Sequence, residues 1–531
     1  MMTQNASAVP REGGARRIKG RALDLTPLPS GSGFHVLFVY PNVQRVHTPQ
    51  LGIASLSACV KQIGARSALL DTTLLDPGSE CDALARRLAA DRPDLVAFGV
   101  RSSEWGLARE LLAVVRRFQL PVVVGGPQAT FCPEDTLAEC GRIVRGEGEG
   151  AMLDLVRAMA AGRPCDDIAN VWSRRDGRII RNAVRELIPD LDALPLPDWR
   201  LFDDVHYRQS YARNIRPGTR IVAALEGSRG CPFTCTYCSN ERLQREYRGL
   251  GRWRREKSPR RMVDELLAFR ASIGPVDFVH WIDEIWLTRV ERLAEFRDLY
   301  RREIGAPFCI MERPESVTDE KLRIMAEAGL YSIAIGLESG DEDLRRKVLG
   351  RRTSQARMLS AFTLPHKYGV RVHAFTMLGL PNQDEASMMR TWRFLRRVRP
   401  DTAQFSIFYP LAGTRLYDQT IAAGLFRPTG DMRDYYTSSP LVQPGIDNDR
   451  IVKYRRLFDT YVTRPGPWSA LQFHLARKWN APDRIFAWKM RARMRLGAAR
   501  RAAAAALRAI VARGFRRLRP SPAVHGAAQA S

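Results

Sequence analysis

The sequence predicts an α/β protein: a doubly wound parallel sheet, then a partial (β/α)6 barrel, then a C-terminal helical region. Three observations predict it. Short β-branched or apolar runs alternate with helical periodicity over residues 34–160. Six further runs of the strand type, again separated by helical stretches, begin after residue 218. Between the two series, the prolines of ELIPDLDALPLPDW exclude a long helix.

In the first series HVLFVY (35–40), SALL (67–70), DLVAFGV (94–100), PVVVGG (121–126) and RIVR (142–145) read as strands. LGIASLSACVKQIG, CDALARRLAAD and EWGLARELLAVVRRF read as the helices between them, which argues for a parallel sheet covered on both faces. Ligands of such sheets bind beyond the carboxyl ends of the strands. The candidate binding loops are therefore Pro41 to Leu51, Arg101 to Glu104, Pro127 to Pro133 and Gly146 to Gly150. The first strand runs into PNVQRVHTPQLG rather than G-x-G-x-x-G, which argues against a nicotinamide dinucleotide. Gly125 and Gly126 permit either a close backbone approach to a ligand or a tight turn.

Residues 161–218 read as an extended linker. The second series, residues 219–430, has strands IVAAL (221–225), VDFVHWI (276–282), PFCIM (307–311), YSIAIG (331–336), VRVHAFTML (370–378) and AQFSIF (403–408). Six βα units suggest a partial barrel of the TIM type, with chemistry at the strand C-termini. Residues 1–33 read as a disordered basic tail, 431–483 as a helical region and 484–531 as a basic Ala/Arg-rich tail.

The chain has 531 residues, 45% hydrophobic and 26% charged, as a soluble globular protein does. No apolar run approaches the roughly 20 residues that span a bilayer, and the start lacks the apolar core of a secretory signal. A cytoplasmic protein is expected. The net charge of +26 points to an anionic partner. Cys59, Cys81, Cys132, Cys140, Cys165 and Cys309 are scattered singly and read as small buried hydrophobes.

The remaining cysteines, Cys231, Cys235 and Cys238, crowd into EGSRGCPFTCTYCSNER (226–242). Their i, i+4, i+7 spacing is also that of an apolar helix stripe. Gly227, Gly230 and Pro232 favour instead a loop directly after IVAAL. Zinc would want a fourth ligand, and His206 and His280 are remote in sequence. A C-x-x-C redox pair leaves Cys231 unexplained. Three thiolates suit a [4Fe–4S] cube with one iron left open, and the mouth of a barrel is where such a centre belongs.

CPFTCTYC, with Tyr237 before its last cysteine, resembles the motif of the radical S-adenosylmethionine (radical SAM) superfamily. The resemblance implies that Cys231, Cys235 and Cys238 ligate the cluster and that S-adenosyl-L-methionine chelates the open iron. An electron from a reductase or flavodoxin then gives a 5′-deoxyadenosyl radical that abstracts hydrogen from substrate. IAIGLESG (333–340) is similar to the segment contacting the adenosine and ribose, which implies Gly336, Glu338 and Ser339. IDE (282–284) implies Asp283 and Glu284 as contacts of a substrate amine or of the ribose. Arg313 and Gly379 to Pro381 also match, with an ion pair and a turn as their structural alternatives.

VVVGGPQATFCPEDTL, followed by VRGEGEG, resembles the flavodoxin-like cobalamin-binding domain fused to many radical SAM enzymes. That resemblance implies Ser102 or Ser103, and Gly125 with Gly126, as the cradle of cobalamin's nucleotide tail. The axial-ligand motif D-x-H-x-x-G is absent, and the nearest candidate is His47 in VHTPQLG. Cobalamin without protein histidine ligation is therefore expected. The combination implies a methylase acting on an unreactive carbon of a small-molecule or lipid substrate. One alternative is an oxidative cyclase resembling the anaerobic cyclase of magnesium-protoporphyrin monomethyl ester, or another radical rearrangement enzyme. Another is a non-catalytic cobalamin-binding sensor with a structural zinc.

KYRRLFDTYVTRPGPWSAL resembles a C-terminal helical portion that covers substrate. Within 484–519, Leu507, Val511, Phe515 and Leu518 share a helical face among arginines. That pattern suits a peripheral contact with an anionic membrane, a solvated helix or a partner contact. No RNA-binding module accompanies the basic run, so nucleic acid is not an expected partner.

Overall fold

The computed structural model describes residues 23–208, 210, 215–428, 432, 437–464 and 466–478. Its first sheet contains β1 (His35–Tyr40), β2 (Arg66–Asp71), β3 (Leu95–Gly99), β4 (Val122–Gly125) and β5 (Arg142–Val144). They run parallel in the order β2-β1-β3-β4-β5, the doubly wound order expected of a flavodoxin-like domain. β1 is buried along its whole length, because helices cover both faces of the sheet. The helix Trp105–Arg117 buries Leu111, Leu112 and Val115 against Val96 and Phe98.

The linker reading of residues 161–218 needs correction. Val171–Arg175 (β6) and Arg178–Arg181 (β7) form a hairpin that adds antiparallel to β5. Asp176 and Gly177 close it with φ of 50° and 76°, the doubly positive pair of a tight hairpin turn. Asp-Gly between β-branched runs was a legible signal for this turn. Pro127 to Pro133, expected to be a binding loop, holds the short helix Pro127–Phe131 and the first residue of Pro133–Cys140, both helices starting on proline.

The second sheet begins with β8 (Val222–Leu225), and a two-stranded ribbon of β9 (Ser228–Arg229) and β10 (Arg255–Glu256) follows. β11 (Phe278–Trp281), β12 (Phe308–Glu312), β13 (Leu330–Glu338), β14 (Arg371–Leu378) and β15 (Thr402–Ile407) complete it. All six strands are parallel in the order β15-β14-β13-β12-β11-β8. β15 and β8 lie at opposite edges, so the barrel is open, as six units predict. Ser258, Thr318, Ser354 and Asp384 each cap the helix that follows by accepting a backbone N–H.

The helix Asn448–Tyr461 packs Phe458 on Trp392 and Phe405, ring centroids 5.6 and 5.3 Å away. It therefore braces the outside of β15. A second unit begins at Arg464, and its described part contains the helix Pro467–Lys478. The basic stretch 484–519 and the first 22 residues lie outside the described residues. No helix among the described residues is long and apolar enough to cross a membrane.

Candidate functional site

Residues 226–238 leave the C-terminal end of β8 through the short strand β9 and a loop that carries the cysteines, and helix begins only at Ser239. The helical-stripe reading of the cysteines is thereby excluded. Gly230 has φ +86°, and a Cβ there would lie 2.4 Å from the carbonyl oxygen of Trp253. Glycine is therefore required where β9 turns back toward the first cysteine. The indole N–H of Trp253 donates to the carbonyl of Cys231 at 2.8 Å, and Arg254 donates to that of Gly230 at 3.1 Å. Farther along, Thr236 donates through its N–H to Leu349 and through its hydroxyl to Val348, at 3.2 and 2.6 Å.

Cys231 and Cys235 are buried, and Cys238 is half-buried at the N-cap of the helix Ser239–Glu246. Burial pushes the Cys231 thiol up to about 11, and the neighbouring Cys238, Glu284 and Cys235 add to the effect. Burial raises Cys238 as well. Arg313 Nη1 donates to Cys235 Sγ at 2.7 Å, while its guanidinium stacks 3.8 Å above the Phe233 ring. Glu315 holds the same guanidinium with bonds of 2.7 and 3.1 Å. Arg313 is thus an ion-pair partner of Glu315 that also contacts Cys235.

Among the described residues, no three His, Cys, Asp or Glu side chains are gathered to hold a metal ion. A [4Fe–4S] cube takes each thiolate on a different iron, so its three ligands need not converge on one point. Three adjacent thiols on a pinned loop, one of them facing a guanidinium, fit that donor set.

From the loop, Tyr237 donates to Glu338 Oε1 at 2.9 Å, and Arg351 Nη1 donates to the same oxygen at 2.9 Å. Burial, then Glu338, hold the Tyr237 hydroxyl well above its ordinary range. Glu338 ends β13 with φ +60°, a conformation rare outside glycine. A Cβ on Gly336 would lie 2.6 Å from Glu338 Oε1, so glycine opens the space the carboxylate occupies. Arg351 is fully buried, yet its Nε and Nη2 have no hydrogen-bond partner. Such orphaned donors are what an anionic ligand group would satisfy. No pattern in the sequence singled out Arg351, which lies thirteen residues beyond Glu338.

Ser339 departs from expectation. Its hydroxyl lies 3.3 Å from that of Thr391 and accepts the N–H of Asp341 at 3.2 Å. Successive strand residues face opposite ways, so Ser339 serves the helix layer while Glu338 serves the barrel interior. Gly379 makes a turn, its N–H bonded to Gln383 at 2.7 Å.

Asp283 follows β11 and is buried. It accepts the N–H of Gly227 at 2.9 Å and the hydroxyl of Ser228, which ties the second strand's end to the cysteine loop. Burial pushes its carboxyl up to about 7, against those two bonds. Glu284, next along, is exposed.

A cavity of about 390 Å³ joins the two sheets at their carboxyl ends. Gly126, Thr130 and Gly146 line it from the first domain, and Gly230, Asp283 and Glu284 from the barrel. Gly126 has φ +94°, and a Cβ there would lie 2.8 Å from the Val100 carbonyl oxygen. Gly125 ends β4 just before it, whereas Ser102 and Ser103 form a turn after β3 and do not line this cavity. His47 does not line it either. Its ring packs edge-on to His206, 6.0 Å away, which in turn meets Asp71 at 2.5 Å.

Charged contacts fix the two walls to each other. Glu147 receives both guanidinium nitrogens of Arg255 at 2.6 and 3.0 Å, and its N–H donates to the Tyr247 hydroxyl at 2.8 Å. Arg229 meets Glu149 at 2.8 Å and Glu226 at 3.0 Å. Burial disfavours the Glu149 charge, but Arg229 outweighs it and keeps the carboxyl below its usual range. The loop Gly146 to Gly150, a candidate binding loop in the sequence, contributes Gly146 and Glu147 to the cavity lining. Its barrel partners Tyr247, Arg229 and Arg255 were not legible in the sequence.

Residues 225–395 match the radical SAM superfamily, and residues 43–156 match the B12 binding domain. The fold and site thus define a protein that couples a cobalamin-binding domain to a radical SAM barrel. This chain belongs to the cobalamin-binding radical SAM superfamily, whose cofactors are a [4Fe–4S] cluster, S-adenosyl-L-methionine and cobalamin. It is 26% identical over 428 residues to an uncharacterized methyltransferase of Pyrococcus horikoshii, covering 78% of this chain and 88% of that one. It is also 26% identical over 449 residues to the anaerobic magnesium-protoporphyrin IX monomethyl ester cyclase of Rubrivivax gelatinosus, covering 80% and 77%. Among solved structures, the radical S-adenosylmethionine methyltransferase TsrM from Kitasatospora setae, with tryptophan and a SAM analogue bound, has a similar fold. Its TM-score is 0.57 at 18% identity, over 73% of this chain and 76% of that one.

Proposed function

We propose that this radical SAM enzyme transfers a methyl group to an unreactive carbon of its substrate. The observation that carries the reading is the single cavity walled by Gly126 and Gly146 on one side and by Gly230, Asp283 and Glu284 on the other. A substrate held there lies between the two cofactor domains, so the activated carbon and the methyl source share one enclosure. When bound, the three cofactors supply a one-electron route to a carbon radical and a methyl donor.

The chain's own residues have separable tasks. Cys231, Cys235 and Cys238 are the cluster ligands, and Arg313 donates to Cys235 from the next layer. Glu338, aimed by Tyr237 and Arg351, accepts from the ribose hydroxyls of S-adenosyl-L-methionine. Asp283 positions the cysteine loop through Gly227 and Ser228, and Glu284 reaches the substrate amine or the ribose. Gly125 and Gly126 keep the first domain's wall free of side chains for cobalamin. The Glu147–Arg255 pair keeps that wall in register with the barrel.

The test is anaerobic purification with iron, sulfide, zinc and cobalt analysis, then turnover with methyl-labelled S-adenosyl-L-methionine on fractionated extracts of a strain lacking the gene. The expected outcome is iron and cobalt in the protein and label on a product carbon. Zinc without iron would overturn the enzyme reading. Relatives named as cyclases make oxygen-labelled water the second arm, since product labelled from water and not from methyl would favour oxidative cyclisation.

A further inference from the structure

The helix Pro467–Lys478 carries an apolar stripe that the described residues leave uncovered. Trp468, Leu471 and Leu475 are 75%, 47% and 44% exposed, while Phe473 is fully buried. At 3.6 residues per turn their i, i+3, i+7 spacing places them within an arc of about 60°. Ser469 and Phe473, both buried, lie on the other side of the helix. An isolated exposed leucine needs no explanation, but an aligned Trp-Leu-Leu row is an apolar surface awaiting an occupant.

The sequence directly after this helix states the occupant's charge. Residues 479–531 hold twelve Lys or Arg and one acid, Asp483, so a tenth of the chain carries +11 of its net +26. Trp479, Phe486 and Trp488 fall within the start of that run. A partner that takes Trp and Leu into an apolar medium and also attracts dense positive charge is an anionic lipid surface. Nucleic acid would satisfy the charge, but its affinity comes from phosphate contacts and stacking, which leave Leu471 and Leu475 without a role.

We propose that the helix Pro467–Lys478 docks on anionic membrane surfaces through Trp468, Leu471 and Leu475, with the adjoining basic segment supplying the long-range attraction. The protein lies on the bilayer through this helix rather than spanning it. The inference rests on this unit alone and is independent of the reaction catalysed.

The experiment sediments the full-length, cofactor-loaded chain with vesicles of phosphatidylcholine alone or with one third phosphatidylglycerol, at about 0.1 M salt. Binding is expected on the anionic vesicles and at least roughly tenfold weaker on the neutral ones. Trp468→Ser/Leu471→Ser/Leu475→Ser should weaken binding to anionic vesicles at least roughly tenfold. An unchanged unfolding midpoint would show that these exposed positions do not support the fold. A second readout is quenching by bromine-labelled lipid, which Trp468→Phe should diminish. Failure to bind anionic vesicles overturns the proposal, as does equal binding by the triple-serine protein. So does capture of RNA by a protein that ignores both kinds of vesicle.

Discussion

Arg313 and Cys235 are joined by a 2.7 Å contact from guanidinium to sulfur, which couples the end of the third barrel strand to the middle of the cysteine loop. A positive donor at a cluster sulfur stabilises the reduced, more negative cluster and so raises its potential. Arg313→Gln should still retain iron, because all three thiols remain. Its cluster should reduce at lower potential, and turnover should fall by about 10–100-fold with the same reductant. An anaerobic redox titration followed by electron paramagnetic resonance reads the shift. An unchanged potential would reduce Arg313 to a packing residue.

Gly230 tests whether the loop's backbone path matters by itself. Gly230→Ala places a methyl 2.4 Å from a fixed carbonyl at positive φ, so the loop must move away from Trp253. The expected cost is about 1–3 kcal/mol, together with loss of most bound iron. Gly249 has φ +79° but nothing within 4 Å, which makes Gly249→Ala the control that keeps its cluster. Equal iron contents in the two variants would contradict the argument.

Glu338 and Arg351 form an ion pair whose arginine is fully buried. Breaking one side of such a pair costs about 3–5 kcal/mol, because the surviving charge is left buried without its counter-ion. Glu338→Gln should lower the unfolding midpoint and weaken S-adenosyl-L-methionine binding, both measurable without turnover. Adding Arg351→Met should recover stability without recovering cofactor affinity. Recovery of both would mean the pair is purely structural.

Asp283 provides the pH dependence. Its folded pKa is raised from 3.8 to about 7, so the folded chain holds a proton that the unfolded chain releases above the lower value. Stability from this group is therefore full below about pH 4 and declines as pH rises toward 7, by up to about 1.4 kcal/mol per unit. Asp283→Asn lacks the titration, so its stability relative to the wild type should improve from pH 5 to about pH 7 and level off by pH 8. Thermal unfolding of both proteins across that range measures it, and parallel curves would refute it.

Most of the architecture could be read from residue pattern. β1, β3 and the strands of the barrel are short apolar runs between periodic helices, and buried parallel strands have little freedom to read otherwise. The cysteine loop was legible because Gly227, Gly230 and Pro232 contradict the helical spacing of its thiols. The Asp176–Gly177 hairpin was equally written in the chain and was obscured by the prolines that follow it.

By itself, the sequence determined two α/β layers in series, three thiols on one loop at a strand end and the glycines that keep both walls bare. Those features depend on local propensity and on motifs contiguous in the chain. Only the tertiary structure decided that Arg313 faces Cys235, that Arg351 shares Glu338 with Tyr237, and that Glu147 meets Arg255 across the cavity. The partners in those contacts lie between 13 and 108 residues apart. Nothing local in a chain encodes such pairs: the barrel's own packing brings the first two sets together, and contact between the two domains brings Glu147 to Arg255.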